Sequence, residues 1–221
     1  MKLVDYLSNV YGYDTPIFLK DVRIGRKSKT AVKEAFYRAV KRGQLERKKD
    51  GIYFIRSNKE FGSGITFTDI LKEKFIYSEK PTNGLEEFFI CGYYSGMTFL
   101  NDIGISEQVP ALPEITTNKT SGKKRFYVSG NSVAIIRKAR TEVDFTNYKI
   151  LQFLDMFHFV SLEEVKKNKE LLRKYIIDNQ FQKFQFKQYI RLYNDQTLKK
   201  IVEGGLIDAF MWWYWCFQTN H

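Results

Sequence analysis

The 221 residues predict an α+β fold in three parts, and three features predict it. Apolar positions repeat at helical spacing over the first 42 residues, then change to a strand period around an Asp-Gly turn. Short strand-like runs recur between residues 87 and 136. From Asn147 onward the pattern is helical again. The expected parts are residues 1–60, residues 61–146 as a small mixed α/β domain, and residues 147–221 as a helical part ending in an aromatic segment. Hydrophobic residues at 43% and aromatics at 16% supply a sizeable core and exclude disorder throughout. Only 4 Pro and 14 Gly exclude a collagenous or low-complexity chain.

The elements follow in order. Leu3, Val4, Leu7, Val10 and Tyr11 share one face of an amphipathic helix over residues 1–13. Asp14-Thr15-Pro16 reads as a helix start, because Pro is tolerated in a first turn and Asp or Thr caps it. A short helix through Ile17, Phe18, Leu19 and Val22 is therefore expected, broken at Ile24-Gly25-Arg26-Lys27. Ser28 is a second N-cap, and Val32, Ala35, Phe36, Ala39 and Val40 form the buried face of a helix to Arg42, closed by Gly43. Leu45-Glu46-Arg47 and Ile52-Tyr53-Phe54-Ile55 flank Lys48-Lys49-Asp50-Gly51, a hairpin signal. Three helices followed by a β-hairpin is the order of a winged helix-turn-helix.

Charge points the same way. The chain carries 36 Lys and Arg against 25 Asp and Glu, a net +11. Residues 20–49 alone hold 12 basic and 3 acidic residues, while residues 61–221 hold 21 and 18. So focused a surplus steers polyanions, and phosphate contacts gain from it directly. With Phe36 inward, Thr30, Glu34, Tyr37, Arg38 and Lys41 point away from the core, and the long stems of Lys29 and Lys33 carry their ammonium groups outward. Lys27, Ser28, Lys29, Thr30 and Lys33 occupy the N-terminal half of the helix, the part nearest base edges in a major groove. Tyr37 and Arg38 lie further along the same face. Arg47, Lys48 and Lys49 in the hairpin are candidates for phosphate contacts. A winged helix used for protein contact, or an RNA-binding module, is the alternative. Single-stranded RNA favours an exposed aromatic platform, and this face offers only Tyr37.

Residues 57–64 read as a linker. Gly62-Ser63 with Asp69 invites comparison with nucleotidyltransferases, but their paired acids are lacking, because Ile70 and Leu71 follow Asp69. Thr66 to Leu71 reads as the capped start of a helix running to Tyr77. Strands are expected at Glu87–Cys91, Ile115–Thr117, Arg125–Val128 and Val133–Ile136, with a short helix from Ser95 to Asp102 ended by Gly104. Helical spacing after Asn147 runs to about Asn194 through Ile150, Leu151, Leu154, Phe157, Leu171, Leu172, Tyr175 and Ile176.

Lys41-Arg42-Gly43-Gln44-Leu45-Glu46-Arg47 and Gly51-Ile52-Tyr53 resemble the AbiEi family of antitoxins. The resemblance extends through Gly92-Tyr93-Tyr94-Ser95-Gly96, Leu100, Gly104-Ile105, Gln108-Val109-Pro110 and Ile115-Thr116-Thr117-Asn118, and covers roughly residues 5–155. The family consists of bacterial regulators paired with a nucleotidyltransferase-like toxin in type IV toxin–antitoxin, or abortive-infection, operons. The resemblance implies an N-terminal winged helix that binds double-stranded DNA at the operon's own promoter, with a C-terminal domain supporting repression and antitoxicity. The expectation is a transcriptional repressor without catalytic activity, pairing functionally with such a toxin.

Catalytic and metal chemistry has little to draw on, and neither cofactor nor metal is expected. The 2 cysteines alone cannot build a disulfide framework or a structural zinc site, and with 2 histidines besides, metal chemistry starts with few ligands. His158 reads as a packed or surface histidine, Cys91 as a small buried hydrophobe, and Glu86-Glu87 as solvated. No apolar run approaches the ~18–20 residues of a membrane span, and Met1 to Tyr6 lacks a signal-peptide core. A reduced, cytoplasmic setting is expected. Phe210 to Phe217 holds all 3 tryptophans. It is expected to be ordered and mostly buried, against residues 147–193 or against a second copy in self-association.

Overall fold

A computed structural model describes residues 2–48, 51–57, 64–77 and 90–211. The chain is a mixed α+β protein that divides into two compact units. The first comprises residues 1–74 and 128–132, the second residues 75–127 and 133–221.

In the first unit, α1 (Leu3–Tyr11) buries Leu7 completely, and Gly12 at φ +78° ends it with its N–H on the Ser8 carbonyl. Helix α2 (Lys29–Lys41) starts as expected: Ser28 Oγ accepts from the Ala31 N–H at 3.2 Å. Val32, Phe36 and Ala39 are its buried face. Gly43 takes φ +65°, a conformation an L side chain resists, and its N–H closes on the Val40 carbonyl. The hairpin follows as β2 (Glu46–Arg47) and β3 (Ile52–Phe54).

The expected helix through Ile17 to Val22 does not form. Ile17 and Phe18 are strand β1, paired antiparallel with Tyr53 and Ile52, which gives a three-stranded sheet in the order β1-β3-β2. The Asp14 N–H donates to the Ile55 carbonyl at 2.7 Å and the Leu19 N–H to that of Gly51 at 3.0 Å. Pro16 is buried just before this edge strand, where its missing N–H is not needed by the ladder. Pairing with residues 34 and 36 positions downstream therefore overrides the local helix signal. The core joins Leu7, Ile17, Val22, Val32, Phe36, Leu45 and Tyr53, with the Phe36 and Tyr53 rings edge to face at 4.9 Å. Of the expected linker, residues 58–63 lie outside the described residues. Helix α3 (Phe67–Leu71) opens on a capping box between Thr66 and Asp69 and continues as a π-helical segment, Lys72–Ile76. Tyr77 leaves it to bridge Ile90.

Apart from residues 128–132 at the β6–β7 turn, the second unit holds a mixed sheet of β4 (Gly92–Tyr94), β5 (Glu114–Thr117), β6 (Lys124–Ser129) and β7 (Ser132–Lys138), in the order β4-β5-β7-β6. β4 runs antiparallel to β5, and β5 parallel to β7. Of the strand expected at Glu87–Cys91, residues 87–89 lie outside the described residues; Ile90 bridges Tyr77, and the ladder with β5 starts at Gly92, opposite Thr117. Gly92 is fixed by space, since a Cβ there would meet the Phe75 and Thr116 carbonyls. Helix α4 (Gly96–Asp102) ends at Gly104, φ +78°, as expected.

Among the described residues, α5 (Tyr148–Met156), α6 (Leu162–Lys167), α7 (Lys169–Asp178), α8 (Lys183–Ile190) and α9 (Asp195–Glu203) follow. Helical structure thus runs beyond Asn194, and a 3₁₀ turn spans Ile207–Met211. One core runs from Phe99 and Leu100 through Phe153, Leu172 and Phe181 to Phe210, so residues from the expected 61–146 and 147–221 parts pack together. Phe210 is 3% exposed, with its ring centroid 4.4 Å from that of Phe186. Residues 212–217 of the aromatic segment lie outside the described residues. No helix among the described residues is long and apolar enough to cross a membrane.

Candidate nucleic-acid interface

The sequence-predicted residues gather on α2 and the hairpin of the first unit. Burial of Val32, Phe36 and Ala39 turns Lys29, Thr30, Lys33, Tyr37 and Arg38 outward, and all five are exposed, as are Lys27 and Ser28 just before the helix. No acidic residue stands in the first turn of α2. Ser28 Oγ already accepts from the Ala31 N–H, and its hydroxyl proton is left to donate to a ligand. Arg38 lies 3.7 Å from the Glu34 carboxylate, which offsets part of its charge. Tyr37 is 59% exposed, with the Lys41 ammonium 4.9 Å from its ring centroid.

The hairpin divides its cations. Arg47 is exposed on β2. The Lys48 ammonium is turned back, donating to the Ile65 carbonyl at 3.0 Å. Lys49 lies outside the described residues. Arg56 is committed to Glu46: Nη2 donates to Oε2 at 2.8 Å and Nε lies 2.7 Å from Oε1, and that hydrogen bond raises the Arg56 pKa further above its ordinary value.

Beside the N-terminal half of α2 lies a groove of about 450 Å³, with Phe18, Leu19, Val22, Val32 and Gly51 as its apolar parts. Lys20, Arg23, Lys29, Lys33 and Lys74 line it as well, and among the described residues no carboxylate does. Arg23 is held by two donations from Nη1, to the Lys20 carbonyl at 2.7 Å and the Val22 carbonyl at 3.1 Å. The Lys74 ammonium sits 5.5 Å from the Phe18 ring centroid. Sequence reasoning missed the contribution of Lys20, Arg23 and Lys74. The first two were visible in the charge count of residues 20–49; Lys74, 41 residues after Lys33, had no local signal.

The second unit holds a buried polar network that sequence reasoning also missed. Tyr93 Oη donates to Asp155 Oδ2 at 2.7 Å, Thr116 Oγ1 to Ser95 Oγ at 2.9 Å, and Arg140 Nε to Asp155 Oδ1 at 3.4 Å. Burial, then the Asp155 charge, pushes the Tyr93 phenol well above its ordinary pKa, so it stays a neutral donor. His158 is exposed and touches the Arg140 guanidinium; desolvation and then that cation lower its pKa. Cys91 is buried, which pushes its thiol up and away from the reactive thiolate. Tyr93, Thr116, Ser95, Arg140 and Asp155 thus take part in one hydrogen-bonded network within the second unit. Among the described residues, no group of three or more His, Cys, Asp or Glu could hold a metal ion.

No protein-family model, no curated protein and no solved structure matches this chain.

Proposed function

We propose that the first unit is a winged helix-turn-helix that binds double-stranded DNA, with α2 as its recognition helix and the β2–β3 hairpin as its wing. The observation that carries this reading is the exposed face of α2: Lys29, Thr30, Lys33 and Tyr37 emerge together from a helix with no acid in its first turn. The order α1, β1, α2, β2, β3 supports it, with turns closed by Asp21 N–H to Phe18 O and Lys27 N–H to Ile24 O standing where a middle helix was expected. A helix of this diameter fits the major groove, and cations on its flank meet phosphates.

By its resemblance to the AbiEi family, the chain is a cytoplasmic, non-catalytic transcriptional repressor of its own promoter. It acts as the antitoxin of a type IV toxin–antitoxin operon beside a nucleotidyltransferase-like toxin. A mobility-shift titration of the full chain against DNA from upstream of its own gene, at about 50 and 200 mM salt, tests this. The expected result is a shift at low salt that survives excess non-specific duplex and weakens at high salt. Absence of any shift at low salt overturns the reading.

A further inference from the structure

We propose that residues 119–127 and 133–138 of the second unit form a surface for the unpaired nucleotides of an RNA chain, with Phe126 as the ring on which a base stacks. This does not depend on DNA binding by the first unit. Between Glu114 and Glu142 the chain has no acidic residue and seven Lys and Arg. Four of the seven are engaged within the fold. Arg137 pairs with Glu114, Arg140 holds Asp155, Arg125 donates to the Lys119 carbonyl, and Lys119 donates to that of Tyr77. Lys123, Lys124 and Lys138 remain exposed, with no acidic partner among the described residues. The Lys138 N–H donates to the Lys123 carbonyl, which sets two of these cations side by side.

Phe126 shares its face of β6 with Lys124 and is 60% exposed, with the Lys124 ammonium 5.6 Å from its ring centroid. Strand alternation explains why it faces out: the next residue, Tyr127, packs edge to face on Phe75 at 5.2 Å. Paired bases offer a protein only their edges, whereas an exposed ring with an ammonium group beside it, on a stretch rich in cations, matches the face of an unpaired base and its neighbouring phosphates. RNA is the nucleic acid that regularly displays such bases, in loops, bulges and ends.

The test is fluorescence anisotropy of the full chain with a labelled oligouridylate, and in parallel with the matching oligothymidylate and with duplex DNA. Phe126→Ala is expected to weaken oligouridylate binding about 5- to 150-fold, the effect of one lost base stack, while duplex binding is unchanged. Lys123→Ala with Lys124→Ala is expected to reduce the salt slope on the single strand by about 1.4. Phe126→Trp should keep the affinity and add a tryptophan emission that the oligouridylate quenches. This variant, with circular dichroism of each protein, separates lost stacking from lost folding. Wild-type affinity in both the Phe126→Ala and the double lysine variants overturns the proposal. So does loss of oligouridylate binding in Lys29→Ala with Lys33→Ala alone. Tighter binding of oligothymidylate than of oligouridylate overturns the assignment to RNA.

Discussion

Arg47 and Lys48 are neighbours in the hairpin with different work to do. Arg47 is exposed, while the Lys48 ammonium is held by the Ile65 carbonyl. Arg47→Ala is therefore expected to reduce the salt slope of duplex binding by about 0.9, one phosphate contact, and Lys48→Ala by less. Equal reductions would show that Lys48 leaves Ile65 to meet a phosphate. His158 makes a prediction about pH. Its folded pKa is lowered from the ordinary 6.5 by desolvation and by Arg140, so the unfolded chain takes up the proton first. The stability this group contributes is full above that value and is lost as pH falls below it. Thermal melts from pH 7.5 to pH 5.5, about one unit either side of 6.5, should show a falling midpoint, and His158→Gln should flatten the fall. A midpoint rising toward acid would contradict the sign.

Helix α2 was legible at both ends because its signals are local: a Ser whose hydroxyl reaches an N–H three residues on, and a Gly that accepts positive φ. Ser28→Ala is expected to cost about 1 kcal/mol in urea unfolding. No loss would mean that the cap is idle. Strand β1 was not legible for the opposite reason. Ile17 and Phe18 suit a strand or a short helix equally, and what decides is Tyr53 and Ile52, which no local window contains. The ladder at Gly92 has the same origin, since its register is set by Thr117 and by the lack of room for a side chain. Among the helices of the second unit, Phe210 extends the core past the expected end of helical spacing. Its contacts with Phe186 and Phe153 predict that Phe210→Ala destabilises the protein by about 3–5 kcal/mol, read by chemical unfolding. A loss below about 1 kcal/mol would place this ring outside the core.

Across the whole molecule, the exposed residues of the candidate interface were more legible than the groove beside it. The outward face of α2 follows from helical geometry once Phe36 is placed inside, whereas Lys74 reaches the groove only through the fold. The polar network was hidden for a related reason: Asp155 sits in an apolar helix, and its donors come from β4 and from the segment after β7. The single surplus of 12 basic against 3 acidic residues over 20–49 resolves into exposed cations on α2, a groove beside it and cations held by the fold. The central claim is that α2 reads duplex DNA. The most direct measurement is anisotropy of the full chain with its own upstream duplex and a scrambled duplex, for wild type and Lys29→Ala with Lys33→Ala. The prediction is a preference for the upstream duplex that falls about tenfold or more in the variant. Equal affinity of wild type for both duplexes, or a preference untouched by the two substitutions, would contradict it.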